Sequence, residues 1–184
     1  MKISVVACLL ASLHFISGAS AAPPPSAYAG QETRDIKALS AEEVDAYLSG
    51  KGMGLARAAE LNGYPGPAHV LELASQLGIT PEQRTKTEAL RASLASKAVS
   101  LGRALVEEER KLDRMFATKA VSPELLAGLL SEIGALQAQV RGAHLEAHLA
   151  QVQILTPEQT AHYFQLRGYG GSAAHLGHDG QHMH

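Results

Sequence analysis

Two histidines, His144 and His148, have the spacing of a pair of metal ligands. They are four residues apart, so on a helix both imidazoles project from one face about one turn apart and can reach one ion. Glu146 lies between them, but at about 100° per residue it points roughly 200° away from His144. The string HLEAH therefore supplies two ligands and is not the HExxH motif of metalloproteases. The alternative is a partly buried pair that hydrogen-bonds to a neighbouring helix.

The pair continues an apolar row that predicts a long helix. The row begins after Ser122-Pro123-Glu124, a helix start, and consists of Leu126, Leu129, Ile133, Leu136 and Val140. A second long helix is predicted from Thr80-Pro81-Glu82-Gln83 to about Ala117, because apolar residues there recur every three or four positions. The short connection, 118–121, makes the two an antiparallel hairpin in which position 119+k lies beside 119−k. His144 and His148 would then face residues 88–95.

Short helices are predicted on both sides of the hairpin. One begins at the capping box Ser40-Ala41-Glu42-Glu43 and ends before Gly50, two more cover 53–61 and 67–77, and the last runs from Thr156 to about Leu166. With no Trp, three Phe and five Tyr, the core must be built from Leu, Ala, Val and Ile, which is typical of packed helices. The predicted fold class is all-α.

The two ends of the chain differ from this helical domain, which we place at 40–168. Residues 1–22 have the pattern of a secretory signal, with Lys2, an apolar run and the cleavage site Ala19-Ser20-Ala21. Residues 23–39 open with three prolines and are predicted to be a flexible leader. Residues 169–184 form a histidine-rich, flexible tail. No stretch after the signal is apolar enough for a membrane span, so we expect an exported, periplasmic protein.

Charge and cysteine content exclude several classes of function. Removing the signal, which contains Lys2, leaves 15 basic and 18 acidic residues of the original 16 and 18, and this balance argues against a nucleic-acid partner. The only cysteine, Cys8, lies in the signal, so the mature chain forms no disulfide. No nucleophile with a partnered base and no phosphate-binding loop is apparent. We therefore do not expect an enzyme.

The tail carries a second group of metal-ligand residues on a glycine-rich chain. Its histidines are His175, His178, His182 and His184. Such a composition can wrap an ion without prior structure. We expect this tail to form a weaker and more flexible site than the helical pair, because more chain must be ordered on binding. An inert solvated end and a purification tag are the alternatives.

Two short motifs connect the chain to a known family. Leu155-Thr156-Pro157-Glu158-Gln159 resembles the LTxxQ signature of the periplasmic Spy and CpxP-like proteins and their heavy-metal-sensor and zinc-resistance-associated relatives, and Ile79-Thr80-Pro81-Glu82-Gln83 resembles a variant of it. The resemblance covers roughly 40–168. It implies a hairpin-based, all-helical protomer that pairs into a curved antiparallel homodimer. It also implies either an ATP-independent chaperone or a metal-responsive stress protein.

The resemblance also suggests what completes the histidine site. Metal-sensing relatives combine such a pair with a carboxylate from the opposed helix, and Glu88 is the residue that the hairpin offers here. They also use an N-terminal histidine pair, which this chain lacks. Only His69 precedes the hairpin in the mature chain, so whether Glu88 or His69 completes the site stays open.

The sequence thus predicts a metal-binding stress or heavy-metal resistance protein that acts as a sensor or buffer. The expected ion is zinc, with nickel, cobalt and copper as alternatives. The alternative function is a chaperone of unfolded clients, for which Met53, Met115 and Phe116 are candidate contact residues. An envelope-stress signalling protein is a further expected partner.

Overall fold

The computed structural model describes residues 26–169, so the predicted signal and the tail histidines lie outside the described residues. The described chain divides between Glu32 and Thr33 into two units, and the first consists of turns. Helices are the only regular elements in 26–169, and none of them combines the length and the apolarity that a membrane crossing requires. They are α1 (Ala41–Leu48), α2 (Arg57–Glu60), α3 (Pro67–Glu72), α4 (Ala74–Leu77), α5 (Pro81–Ala117), α6 (Pro123–Val152) and α7 (Pro157–Leu166).

The predicted hairpin is confirmed, with α5 and α6 packed against each other as its two arms. The chain reverses after α5, where Lys119 adopts the left-handed φ of 56°. Near the other end, the Gln151 amide donates to the Thr87 hydroxyl across 3.1 Å, and both residues are fully buried. Residues 87 and 151 are equally distant from 119, so the predicted register is also correct.

The core of the hairpin is a cluster of aliphatic residues, Leu105, Ile133, Leu136 and Val140. Three of them belong to the predicted apolar row of α6. Burial of each such side chain contributes about 1.5–3 kcal/mol. Tyr47 of α1 packs against the same cluster, so α1 covers the hairpin from the side.

Helix α1 approaches α5 so closely that the contact requires a glycine. A Cβ atom built on Gly102 would lie 2.2 Å from the backbone oxygen of Tyr47. Such a distance is impossible without moving backbone, because the contacting atom is a carbonyl rather than a flexible side chain. The single glycine of α5 is therefore the place where α1 docks.

The short helices between α1 and α5 are more broken than predicted. Helix α2 begins only at Arg57, because Met53 and Gly54 have φ values of 45° and 76° and form a turn. The helix predicted over 67–77 is interrupted at Leu73, which separates α3 from α4. These breaks bend the chain over the C-terminal part of α6, where the histidine pair lies.

The end of the predicted leader is packed against α5. Ile36 is only 2% exposed. Its neighbours form ion pairs with α5, Asp35 with Arg110 at 3.2 Å and Lys37 with Asp113 at 3.2 Å. The packed domain therefore starts at about residue 35, earlier than the predicted boundary at 40.

The two Thr-Pro-Glu-Gln boxes meet in space although they are 76 residues apart. Each is a complete capping box at the start of its helix, α5 or α7. The two glutamine amides also bond reciprocally: Gln83 Nε2 donates to Gln159 Oε1 at 2.8 Å, and Gln159 Nε2 donates to Gln83 Oε1 at 3.1 Å. The start of α7 is thereby fixed to the start of α5.

The close approach at Gly102 gives a test of the fold. Alanine normally stabilises an exposed helix interior by about 0.5–1 kcal/mol relative to glycine. At position 102 we expect Gly102→Ala to lower the free energy of unfolding by roughly 1–3 kcal/mol, because the methyl group must push α1 away. The matched control is Gly134→Ala on α6, where nothing lies within 4 Å of the new Cβ, and it should be stabilising. Urea unfolding followed by circular dichroism compares them, and equal effects would contradict the docking contact.

Candidate metal centre

His144 and His148 line one cavity of about 470 Å³ beside the C-terminal half of α6. His144 is 6% exposed, and the side chain of His148 is 12% exposed. The rest of the lining comes mainly from the 52–61 segment, with His69 and Tyr169. The predicted helical pair is therefore brought to one cavity.

The pair contacts the segment between α1 and α3, and the predicted neighbours, residues 88–95, are not among the residues that line the cavity. The Nδ1 of His148 lies 2.7 Å from the Tyr64 backbone oxygen, and Gly52 lies under the ring of His144. Since a carbonyl oxygen only accepts, Nδ1 carries the proton and the neutral ring has its lone pair on Nε2. Gly66 leaves room there, because a Cβ on it would lie 3.0 Å from that Nε2.

Glu88 is exposed on α5 and is not among the residues that line the cavity. The residue of α5 that faces α6 at this level is its neighbour Thr87, which is fully buried. Adjacent residues on a helix point about 100° apart, so Glu88 is turned towards solvent. The carboxylate beside the histidines is instead Glu60, at the end of α2.

Glu60 is 8% exposed and is the centre of a polar network. Its Oε1 accepts hydrogen bonds from Tyr163 at 2.5 Å and Tyr169 at 3.0 Å, and Arg167 Nε lies 3.4 Å away. Its Oε2 has no hydrogen-bond partner and lies 3.7 Å from His148 Nδ1. Sequence analysis missed Glu60, because nothing in the short α2 marks this residue and its partners lie more than 100 positions away.

His69 lies on the other side of the same carboxylate. Its Nδ1 is 3.6 Å from Glu60 Oε1 and 3.4 Å from the Tyr163 hydroxyl. It also lines the cavity, but its side chain is 39% exposed. His69 thus contacts the polar network around Glu60, and it is more exposed than the histidine pair on α6.

Burial shifts the titration of two groups in this region. The pKa of His144 is lowered, chiefly by desolvation and secondly by the nearby His148. The pKa of Tyr163 is raised by burial and by its hydrogen bond to Glu60, so this hydroxyl stays protonated and donates. His144 is therefore held neutral, the state in which imidazole binds metal.

The imidazole and carboxylate groups at this cavity are of the types that bind a divalent transition ion. Glu60 and His144 both line this cavity, and one buried atom of each, Glu60 Oε2 and His144 Nε2, has no hydrogen-bond partner. Two imidazoles and one carboxylate are ligands that zinc takes in proteins. In the part of the chain that the structure describes, however, no three His, Cys, Asp or Glu side chains are arranged to hold an ion as they stand. Binding of an ion would require side chains to rotate.

Comparison with known proteins identifies the family. Residues 68–167, more than half of the chain, match the model described as LTXXQ motif family protein. The chain belongs to the LTXXQ motif family, as its two glutamine boxes predicted. The matched range includes both boxes and the histidine pair, whereas Glu60 lies before it. No curated protein and no solved structure gave a match.

The lowered pKa of His144 predicts a pH-dependent stability in the metal-free protein. Because the folded pKa lies below the unfolded value of about 6.5, the unfolded state takes up the proton first, and stability falls as pH drops through about 6.5. Replacing His144 by Gln should reduce this loss between pH 7.5 and 5.5, by at most about 1.4 kcal/mol per pH unit.

Urea unfolding in the presence of a chelator measures the effect. The control is His162→Gln, at an exposed position of α7, which should keep the pH dependence of the parent. Glu60, His69 and the other charged residues around the cavity are present in both variants. An unchanged slope in the His144 variant would contradict a buried neutral ring.

Proposed function

We propose that this protein is a metal-binding stress protein of the periplasm, acting as a metal sensor or buffer through His144, His148 and Glu60. The observation that carries the proposal is that two residues lining one cavity with His148 each have a buried ligand atom without a hydrogen-bond partner, Glu60 Oε2 and His144 Nε2. An unsatisfied buried polar atom costs about 1–3 kcal/mol, and a ligand that binds both atoms recovers it. Membership of a typically periplasmic stress and metal-resistance family supports the assignment.

The surrounding residues prepare these donors. The Tyr64 carbonyl fixes the tautomer of His148, an arrangement common for histidines that bind metals. Tyr163 and Tyr169 hold Glu60 by one oxygen and leave the other free. A bound divalent ion would supply positive charge to a carboxylate that has little contact with water. Three protein ligands leave one of zinc's four positions open, which suits an ion that must be released.

Calorimetric titration of the mature chain with Zn²⁺, Ni²⁺ and Cu²⁺ tests the site. We expect His144→Ala/His148→Ala to abolish binding at this cavity and Glu60→Gln to weaken it by about ten- to a hundredfold. Glu88→Gln is the matched control and should bind as the parent does, because Glu88 is exposed on α5. Affinity should fall as pH drops far enough for His144 to take up a proton, at a pH below its ordinary pKa of about 6.5 because burial lowers that pKa. Parent-like binding by the double histidine variant would refute the proposed site.

Two glycine variants test the geometry without removing a donor. In Gly66→Ala the new methyl group would press on His148 at 3.0 Å, so the ring must shift and affinity should decrease. In Gly52→Ala the methyl group would meet His144 at 3.7 Å, an ordinary contact, and affinity should stay close to that of the parent.

A chaperone function is the second candidate, and a group of exposed apolar residues favours it. Near the closed end of the hairpin, Phe116 and Leu125 are 55% and 57% exposed, and Val121 and Leu130 are also exposed. We call these four residues the tip patch. Of the residues suggested by sequence, Met53 is 40% exposed but lies at the cavity. The tip patch could contact unfolded clients or a second copy of the chain, and the homodimer stays a prediction.

A light-scattering assay with an unfolded client separates the two functions. If the protein is a chaperone, equimolar amounts should slow aggregation without nucleotide, and Phe116→Ser/Leu125→Ser should lose most of this effect. The double histidine variant should retain it, since the cavity lies at the opposite end of the hairpin. No suppression at a large excess of protein would exclude the chaperone function.

A further inference from the structure

The buried carboxylate of Glu60 is paired with an arginine. In the described part of the chain, three basic side chains lie within 4 Å of it, namely His69, His148 and Arg167. The two histidines are charged only when protonated, whereas the charge of an arginine guanidinium is permanent. Arg167 is therefore the side chain that balances the negative charge of Glu60 at every pH.

Arg167 directly follows the last residue of α7 and is held beside Glu60 by a tyrosine. Its Nε lies 3.4 Å from Glu60 Oε1 and donates to the Tyr169 hydroxyl at 3.3 Å. That hydroxyl donates in turn to Glu60 Oε1 at 3.0 Å. Between the two residues, Gly168 has a φ of 72°, a left-handed turn that glycine adopts without strain. The end of α7 is thus attached to the carboxylate through both Arg167 and Tyr169.

We propose that Arg167 is a built-in counter-ion that a metal ion displaces from Glu60, so that metal binding releases the end of α7. This inference rests on the proposed function and adds the regulation of the same site. A divalent ion on Glu60 Oε2 would lie only a few ångströms from the guanidinium beside Oε1. Because Glu60 is only 8% exposed, water and salt screen the repulsion between the two cations weakly. Both cations therefore compete for one carboxylate.

Arg167 can leave Glu60 without disturbing the core. Its side chain is 30% exposed, so the guanidinium can move into water. Tyr163, by contrast, is fully buried and can keep its hydrogen bond to Oε1. Tyr169 would lose a hydrogen-bond donor and the guanidinium that lies 5.7 Å from the centre of its ring, but it keeps its edge-on contact with Phe164. The expected change is thus confined to the turn after α7.

Calorimetric titration of the mature full chain with Zn²⁺ tests the competition. We expect Arg167→Gln to raise the affinity of the His144/His148 site by about tenfold, because no cation then has to leave Glu60. Arg167→Lys keeps the charge and should bind within about threefold of the parent. If Arg167 only positioned Glu60, its removal would weaken binding instead. The matched control is Arg57→Gln, which removes the charge of an exposed arginine at the same cavity and should have a smaller effect than Arg167→Gln.

Cleavage by trypsin measures the release of α7, because the bond after Arg167 is a tryptic site. Zn²⁺ should speed cleavage at this bond several-fold in the parent, since local opening exposes it. The rate should not change in the His144→Ala/His148→Ala variant, whose fold is checked by circular dichroism. Cleavage after Lys119, in the exposed connection at the other end of the hairpin, is the internal control and should not depend on Zn²⁺.

Three results would overturn the inference and leave the proposed function intact, provided that the double histidine variant still abolishes Zn²⁺ binding. The first is an affinity that stays the same or falls in Arg167→Gln. The second is an equal rise in Arg167→Lys, since the charge would then not matter. The third is a cleavage rate at Arg167 that does not respond to Zn²⁺. Parent-like binding by the double histidine variant would instead refute the proposed function, and this inference with it.

Discussion

The paired amides of Gln83 and Gln159 are the interaction on which the region around the starts of α5 and α7 depends. Each side-chain oxygen already accepts the cap N–H of its own box, from Thr80 or Thr156, so neither amide can rotate freely. Gln83 also donates to the Ile154 carbonyl, two residues after the end of α6. Five polar groups, at two helix starts and just after one helix end, thus share one network, and the direction of α7 is fixed by it.

The direction of α7 in turn determines the environment of Glu60. Tyr163 is fully buried in the apolar cluster with Val70, Leu77 and Leu155, and only its hydroxyl reaches the carboxylate. A buried carboxylate is costly unless it is hydrogen-bonded, and here one oxygen is well satisfied while the other is not. Such asymmetry is unusual in a purely structural residue. The unsatisfied oxygen is the one that the proposed metal centre would use.

The sequence predicted the parts of this structure that depend on local chemistry. Caps and apolar periodicity gave the limits of α5, α6 and α7, and the short connection gave the register. The register gave the level of Glu88 along the hairpin but not the rotation of α5, which turns Thr87 towards α6 and leaves Glu88 exposed. Glu60 could not be predicted, since its position depends on the turn at Met53 and on contacts with α7. The motif showed that α7 has a helix start, but not that this start would pair with the start of α5.

The glutamine pair also changes the entropy of assembling the cavity. Glu60 and Tyr169 are 109 residues apart along the chain. Once Gln83 and Gln159 are joined, the path between them consists of 23 residues from Glu60 to Gln83 and 10 from Gln159 to Tyr169. For a flexible loop, a reduction of this size lowers the closure cost by about 1 kcal/mol. The joined glutamines at the open end of the hairpin therefore act as a cross-link. The contact between Glu60 and Tyr169 then closes a small loop rather than one that spans most of the domain.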